Sequence, residues 1–273
     1  MRRDIIRMLE EAGSGHSAGP LGLADLVATL YFGVMNYKPK KPEWNERDFF
    51  FLSNGHCVPV QYAAMAEAGF FDKKELMTLR KWGSRLQGHP ERTKLPGLEN
   101  TSGPLGSGLS QAAGVAYSLQ YLDDEPHRFV YCITGDGELN EGNIWEGAMF
   151  AGKYKLSQLI VFVDRNNIQI DGNTEDVMPL EDLAGKWRSF GWHVQEIDGH
   201  NVESILDAVG MAKAISNRPS VIITHTIPGK GVDFMEYDYH WHGAPPNHEQ
   251  AKEALRELRT LRGKITHEGQ KHE

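Results

Sequence analysis

Five short segments carry apolar or β-branched residues without interruption: Phe49 to Leu52, Phe129 to Thr134, Leu159 to Val163, His193 to Ile197 and Ser220 to Thr224. Runs of this length, bounded by turn residues, predict strands. Between them the pattern changes to a helical period. "LGLADLVATLYFGVMN" places apolar residues at Leu23, Leu26, Val27, Leu30, Tyr31 and Val34, and "DKKELMTLRKWG" opens with Asp72 and Glu75 at capping-box spacing. Further helices are predicted over Ser107 to Leu122, Asn143 to Lys153, Leu180 to Phe190, Val202 to Ser216 and His248 to Arg262. The N-terminal "MRRDIIRMLEEAGSGH" mixes arginines and acids with apolar positions, as a short amphipathic helix does, and lacks the apolar core of a signal peptide.

Strands that alternate with helices predict an α/β fold: a doubly wound, mostly parallel sheet with helices on both faces, because parallel neighbours need a long crossover. No linker and no internal repeat interrupts the pattern, so a single domain over 1–262 is expected, followed by a polar tail over 263–273 whose histidines are solvated.

Composition adds exclusions. Of 273 residues 40% are apolar, enough for a sizeable core, and 37 acidic against 29 basic residues leave a net charge of -8 with no basic block, which argues against nucleic acid as partner. Cys57 and Cys132 are too few for a disulfide framework or a zinc motif, and a reducing, cytoplasmic setting is expected. Apolar runs such as "LIVFV" are too short to span a bilayer, so no membrane partner is expected.

The chemistry begins at "ITGDGELNEG", where Asp136 stands between two glycines directly after a predicted strand. The next strand ends in "VFVDRNNIQIDG", which puts Asn166 at the equivalent place one βα unit later. In a doubly wound sheet the loops after the carboxyl ends of strands hold ligands. A carboxylate and an amide oxygen brought together there, with a main-chain carbonyl, suit magnesium completing its shell with phosphate oxygens. Gly135 would then permit the tight turn and Gly137 the close approach of a backbone N–H to phosphate. The spacings alone leave the alternative open, that Gly-Asp-Gly is a turn and Asn166 a cap.

"GDGELNEGNIWEGAMFAGKYKLSQLIVFVDRNN" resembles the thiamin diphosphate fingerprint, a Gly-Asp-Gly followed by Asn-Asn. Together with "GSGHSAGPLG", "LSNGHC", "LQGHPE", "TSGPLGSGLSQAAGVA" and "HWHGAPP", in that order and over almost the whole chain, it is similar to the amino-terminal portion of the transketolase family. The resemblance implies the diphosphate-side domain of the thiamin diphosphate-binding fold. It implies magnesium held by Asp136, Asn166 and the main-chain carbonyl of Ile168, the diphosphate near Gly137, the cofactor's ring system against Gly103 and Leu105, and Ile170 beside the thiazolium. It places His56 and His242 on the diphosphate side, and His16, His89 and His242 around substrate hydroxyls and carbonyl, where an imidazole can donate, accept and exchange protons. Glu141 resembles a carboxylate that couples two cofactor sites across a subunit interface, although a helix-dipole role also suits it. His200 is expected to serve a loop or cap, Ser17 to be no nucleophile, and Lys230 either to contact phosphate or to solvate a turn.

In that family the pyrimidine-binding and sugar-phosphate-binding groups lie in later domains. The expectation is therefore a split enzyme, with this chain as the amino-terminal subunit, a separate polypeptide carrying the rest, and two copies of each. It would move a two-carbon ketol unit from a ketose to an aldose, within carbohydrate metabolism of the pentose phosphate type. Alternatives are another thiamin-dependent carboligase, such as a 1-deoxyxylulose-5-phosphate synthase relative, the α subunit of a 2-oxoacid dehydrogenase, distinguished by carbon dioxide release, and a noncatalytic regulatory subunit.

Overall fold

The computed structural model describes residues 1–258 apart from Asp124, Pro126 and Glu181. The strands are β1 (Phe49–Leu52), β2 (Val130–Gly135), β3 (Leu159–Arg165), β4 (Ile168–Gln169), β5 (Gly172–Asn173), β6 (His193–Asp198) and β7 (Ser220–His225). Among the described residues β1-β2-β3-β7-β6 form one sheet in that order, while β4 and β5 make a short antiparallel hairpin. Every pair in the large sheet is parallel, and all five predicted strands are in it, most of them one or two residues longer than expected.

The helices are α1 (Arg2–Ala12), α2 (Ala18–Gly22), α3 (Ala24–Thr29), α4 (Val58–Ala68), α5 (Ser107–Tyr121), α6 (Gly142–Lys153), α7 (Thr174–Val177), α8 (Leu183–Ser189), α9 (Val202–Ala214) and α10 (His248–Glu257). They cover both faces, and the strands show why. Successive side chains point to opposite faces. Phe50, Leu52, Tyr131, Ile133, Ile160, Phe162 and Ile222 pack into a core shared with α1, α3, α4, α9 and α10. Their neighbours Phe51, Val130, Cys132, Val161, Val163, Val221 and Ile223 enter a second core with α5, α6 and α8. With both faces buried the strands read as continuous apolar runs instead of alternating ones. Edge strand β6, "HVQEID", is only partly covered and correspondingly polar.

Several helical expectations need correction. The segment expected to be one helix from Leu21 starts at Ala18, is interrupted at Leu23, and ends in a π turn, Leu30–Val34. Residues 73–78 form a 3-10 helix without a capping box: the Asp72 side chain accepts from Lys74 N, and the Glu75 carboxylate is taken by Arg85 at 2.6 Å. α8 starts at Leu183, where the Asp182 side chain accepts from Gly185 N. α4 has no counterpart among the predicted helices. Its sequence, "VPVQYAAMAEA", is buried nearly all round, so no polar face gives it a helical period. α10 carries an Asn247/Gln250 capping box, and its expected extension to Arg262 and the tail over 263–273 lie outside the described residues.

The parallel register brings the carboxyl ends of β1, β2 and β3 side by side: Leu52 lies opposite Ile133, and Gly135 opposite Asp164. The N-terminal turn of α5 closes over these ends. A Cβ on Gly108 would lie 2.6 Å from the Cα of Ser53, and its N–H donates to Ser53 Oγ at 3.1 Å. Gly108→Ala is expected to cost about 1–3 kcal/mol through forced backbone displacement, read as a lower urea midpoint with an unchanged denaturant slope.

Candidate functional site

A cleft of ≈ 290 Å³ opens over the ends of β1, β2 and β3. It is lined by Asp136, Gly137, Asn166, Ile168, Ile170, Gly103 and Leu105, and also by His16, His56, His89 and His242. The structure therefore gathers the expected site residues into one concavity, from segments as far apart in sequence as 16 and 242.

Each is delivered by local structure. Asp136 follows β2 and caps the 3-10 turn Gly137–Asn140. It is 1% exposed, and its carboxylate accepts from Gly137 N (2.8 Å), Asn167 N (2.8 Å) and Arg165 Nη1 (3.0 Å). Burial raises its pKa, while Arg165 and the two N–H groups oppose that rise. Asn166 follows β3 and accepts from Ile168 N at 3.0 Å through its amide oxygen, and its Nδ2 donates to Asp164 at 2.8 Å. Asn167 adopts a left-handed φ of 63° between them. Asp164, fully buried, also accepts from Thr226 Oγ1 at 2.5 Å, and burial pushes its pKa up to about 7.

The histidines come from four loops. His16 sits between α1 and α2, where Gly13 ends α1 in the left-handed region. His56 lies in the turn Gly55–Cys57 after β1, and His242 follows the turn Tyr239–Trp241. Ring centroids are 4.9 Å apart for His16 and His56, 5.0 Å for His56 and His242, 5.8 Å for His16 and His242, and 6.4 Å for His16 and His89. Burial, then mutual repulsion and Arg80, lowers the pKa of His16 to about 4, and burial likewise depresses His56, His89 and His242. Near neutral pH these are four uncharged imidazoles, each with one donor and one acceptor nitrogen.

The cleft has capacity to bind. His16 Nδ1 and Asn54 Oδ1 are buried without a partner, and both residues line it. A Cβ on Gly103 would meet open space. The set of carboxylate, amide and main-chain oxygens from Asp136, Asn166 and Ile168 fits a small hard cation that shares its shell with ligand oxygens. No group of three or more His, Cys, Asp or Glu among the described residues is arranged to hold a metal on its own. The Gly137 N–H expected to face phosphate is engaged by Asp136, and Gln169 packs where a Cβ of Gly137 would fall, 2.8 Å from its Cγ. Ile170, expected as an apolar wall, lines the cleft yet is 59% exposed.

Other motif residues are placed elsewhere. Ser17 Oγ donates to Ala244 O at 2.6 Å, which ties the His16 loop to the His242 loop and leaves no free nucleophile. His200 bridges Asp25 Oδ2 (2.8 Å) and Ile227 N (2.8 Å), a loop-pinning role. Lys230 lies 3.8 Å from Glu236, and Glu141 is the N-cap residue of α6; neither lines the cleft. Sequence reasoning missed Asn54, Glu138 and Gln169, which do line it. Glu138 is 2% exposed and accepts from Ser53 Oγ (2.5 Å), Gly106 N (2.6 Å) and Gly135 N (2.9 Å). All three stand inside the quoted motifs, so proximity to Asp136 or to a histidine was the available signal.

Comparison with known proteins shows what the chain is similar to. Residues 2–262 match the family model described as transketolase, thiamine diphosphate binding domain. A 6-deoxy-6-sulfo-D-fructose transketolase subunit of Clostridium sp. (strain MSTE9) is 44% identical over 94% of this chain and 93% of its own length. One of the apulose-4-phosphate transketolase subunits of Phocaeicola vulgatus is 38% identical over 94% and 90%. Among solved structures, transketolase from Leishmania mexicana superposes with a TM-score of 0.89 at 34% identity, over 94% of this chain and 40% of that one. The chain thus spans nearly the full length of the separate subunits and about two fifths of the single-chain enzyme.

Depressed histidine pKa values set a direction for acid sensitivity. A histidine whose folded pKa lies below its unfolded value binds fewer protons when folded, so its contribution to stability is complete above pH 6.5 and declines as pH falls toward 4. Because Asp164, pushed up to about 7, acts in the opposite sense, the quantity to measure is a difference. The Tm of His16→Asn relative to the parent is expected to rise as pH is lowered from 6.5 to 4, as followed by calorimetry; a gap that does not change with pH would contradict the neutral assignment of His16.

Proposed function

The chain belongs to the transketolase family, of which it carries the thiamine diphosphate-binding domain, and from that premise we propose that it is the amino-terminal, cofactor-binding subunit of a two-chain transketolase. The observation that carries this is the adjoining of two chemistries in one cleft, the Asp136–Asn166–Ile168 oxygen set and the four neutral histidines. The unit that does this work is 1–262. The partner is a separate polypeptide with the pyrimidine-binding domain, in an assembly with two copies of each chain. The subunit names and nearly full-length coverage of the two relatives support that division. The donor in this reading is a ketose and the acceptor an aldose; the relatives are named for 6-deoxy-6-sulfo-D-fructose and apulose-4-phosphate. Among the described residues no helix is long and apolar enough to cross a membrane; the setting of this reading is the cytoplasm.

Asp136, Asn166 and the Ile168 carbonyl would hold magnesium against the cofactor's diphosphate, with Gly137 at the close approach and His56 and His242 beside it. Gly103, Leu105 and Ile170 would flank the rings. Bound there, thiamin diphosphate supplies a carbanion and an electron sink for cleaving and forming the carbon–carbon bond. The chain's own task is orientation and proton exchange. His16, His89 and His242, as uncharged imidazoles, can each accept a hydrogen bond from a substrate hydroxyl at one nitrogen and donate from the other, so a proton can pass between hydroxyl and carbonyl oxygens through an imidazole. Their burial limits competing water on the same atoms. The exposed Ile170 would be covered by the partner, completing the apolar wall.

Asp136→Ala and Asn166→Ala are expected to weaken magnesium-dependent thiamin diphosphate binding by about 100-fold while remaining folded, Asp136→Ala with a lower Tm because Arg165 and two N–H groups lose their acceptor. Isothermal titration of the chain with its partner subunit, followed by a ketose-to-aldose transfer assay, checks both steps; binding retained by both variants would remove the proposed metal site, and carbon dioxide release from a 2-oxoacid would reassign the reaction.

A further inference from the structure

Arg165 has no part in the chemistry assigned to the cleft, yet it touches the centre of it. It is the last residue of β3 and its side chain is 14% exposed. Nη1 donates to Asp136 Oδ2 at 3.0 Å, while Nη2 is paired with Glu175 Oε1. Glu175 lies on α7, just after the β4–β5 hairpin, and also accepts from Leu180 N at 3.2 Å. The guanidinium thus spans two carboxylates, one buried in the cleft lining and one 40% exposed.

A carboxylate as deeply buried as Asp136 is costly unless something positive answers it. A divalent ion and an arginine are two solutions to the same electrostatic problem, and here the arginine is already in place. Oδ2 of Asp136 is occupied by Arg165 and Asn167 N, and Oδ1 by Gly137 N. A cation arriving at this carboxylate meets a like charge a few ångströms away in a poorly screened setting, where repulsion is strong. The second partner offers an exit: on Glu175 the guanidinium keeps one ion pair after its bond to Asp136 is given up.

We propose that Arg165 is a resident counter-cation of Asp136 that competes with the divalent ion and lowers its affinity, with Glu175 as the carboxylate that receives the guanidinium when the ion binds. This rests on the reading of Asp136 as a metal ligand. The bridge makes metal loading an exchange of partners, so the site is stable before it is filled and more readily emptied afterwards.

The test uses Mn²⁺ as probe, with free ion followed by electron paramagnetic resonance in the presence of thiamin diphosphate, on the full chain and three variants, each in complex with the partner subunit. Arg165→Gln is expected to bind Mn²⁺ about tenfold more tightly and to have a lower Tm in the absence of metal. Arg165→Lys, which keeps the charge, should bind like the parent. Glu175→Gln, which leaves the guanidinium committed to Asp136, should bind several-fold more weakly. Unchanged or weaker binding by Arg165→Gln would overturn the proposal and point to a diphosphate-gripping arginine instead. Should that variant not fold, parent-like affinity in Glu175→Gln would overturn it equally. A parent complex that takes up no Mn²⁺ with the cofactor would fail the metal-site reading itself, a result distinct from a parent that binds and variants that do not differ.

Discussion

One buried carboxylate holds the cleft together. Glu138 receives the Ser53 hydroxyl, the Gly106 N–H and the Gly135 N–H, which belong respectively to the end of β1, the loop before α5 and the end of β2. These segments are separated widely in sequence, and only the parallel register makes them neighbours. Hydrogen bonds to a buried anion are stronger than neutral ones and costly to leave unmade. Burial raises the Glu138 pKa and the donors restrain that rise. The positions of Asn54 and His56 after β1, of Gly103 and Leu105 before α5, and of Asp136 after β2 all descend from this junction.

How far the sequence discloses such an arrangement depends on the kind of information each element carries. The strands were legible because burial on both sides turns them into unbroken apolar runs, as "FFFL" and "LIVFV" show. α4 was illegible for the same physical reason: surrounded by protein, it has no polar face to mark a period. Capping-box spacing at Asp72 and Glu75 misled because Arg85, ten residues on, offers Glu75 a stronger partner than a backbone N–H. Among cleft residues, Asp136, Asn166 and the histidines stand in recognisable motifs. Glu138 stands in the same motifs, as does Arg165 beneath Asp136, but their importance lies in contacts with Ser53, Gly106 and Glu175, and pairings of that kind cannot be read from one strand of text.

The electrostatic plan of the cleft separates two kinds of work. On one side are the carboxylates Asp136 and Glu138, with the fully buried Asp164 reached through Asn166, and they accept from N–H groups, hydroxyls and one arginine. On the other are four imidazoles whose pKa values burial lowers, with neighbouring histidines adding to the effect at His16 and His56 and Arg80 at His16 and His89. An acidic side suits a cation, and an uncharged polar side suits the hydroxyls and carbonyls of a sugar. Ser17, which is bonded to Ala244, ties the His16 and His242 loops together within the imidazole side.

The division of the core by the sheet has a consequence for oxidation chemistry. Cys57 lies in one apolar layer and Cys132 in the other, both free and both buried, with burial holding each thiol in its unreactive protonated form. Neither sulfur can meet an oxidant, and the two cannot meet each other across the intervening β-sheet, while the fold is closed. Each is therefore a private chemical tag for its own layer, silent in the native state and exposed only by the loosening of that side.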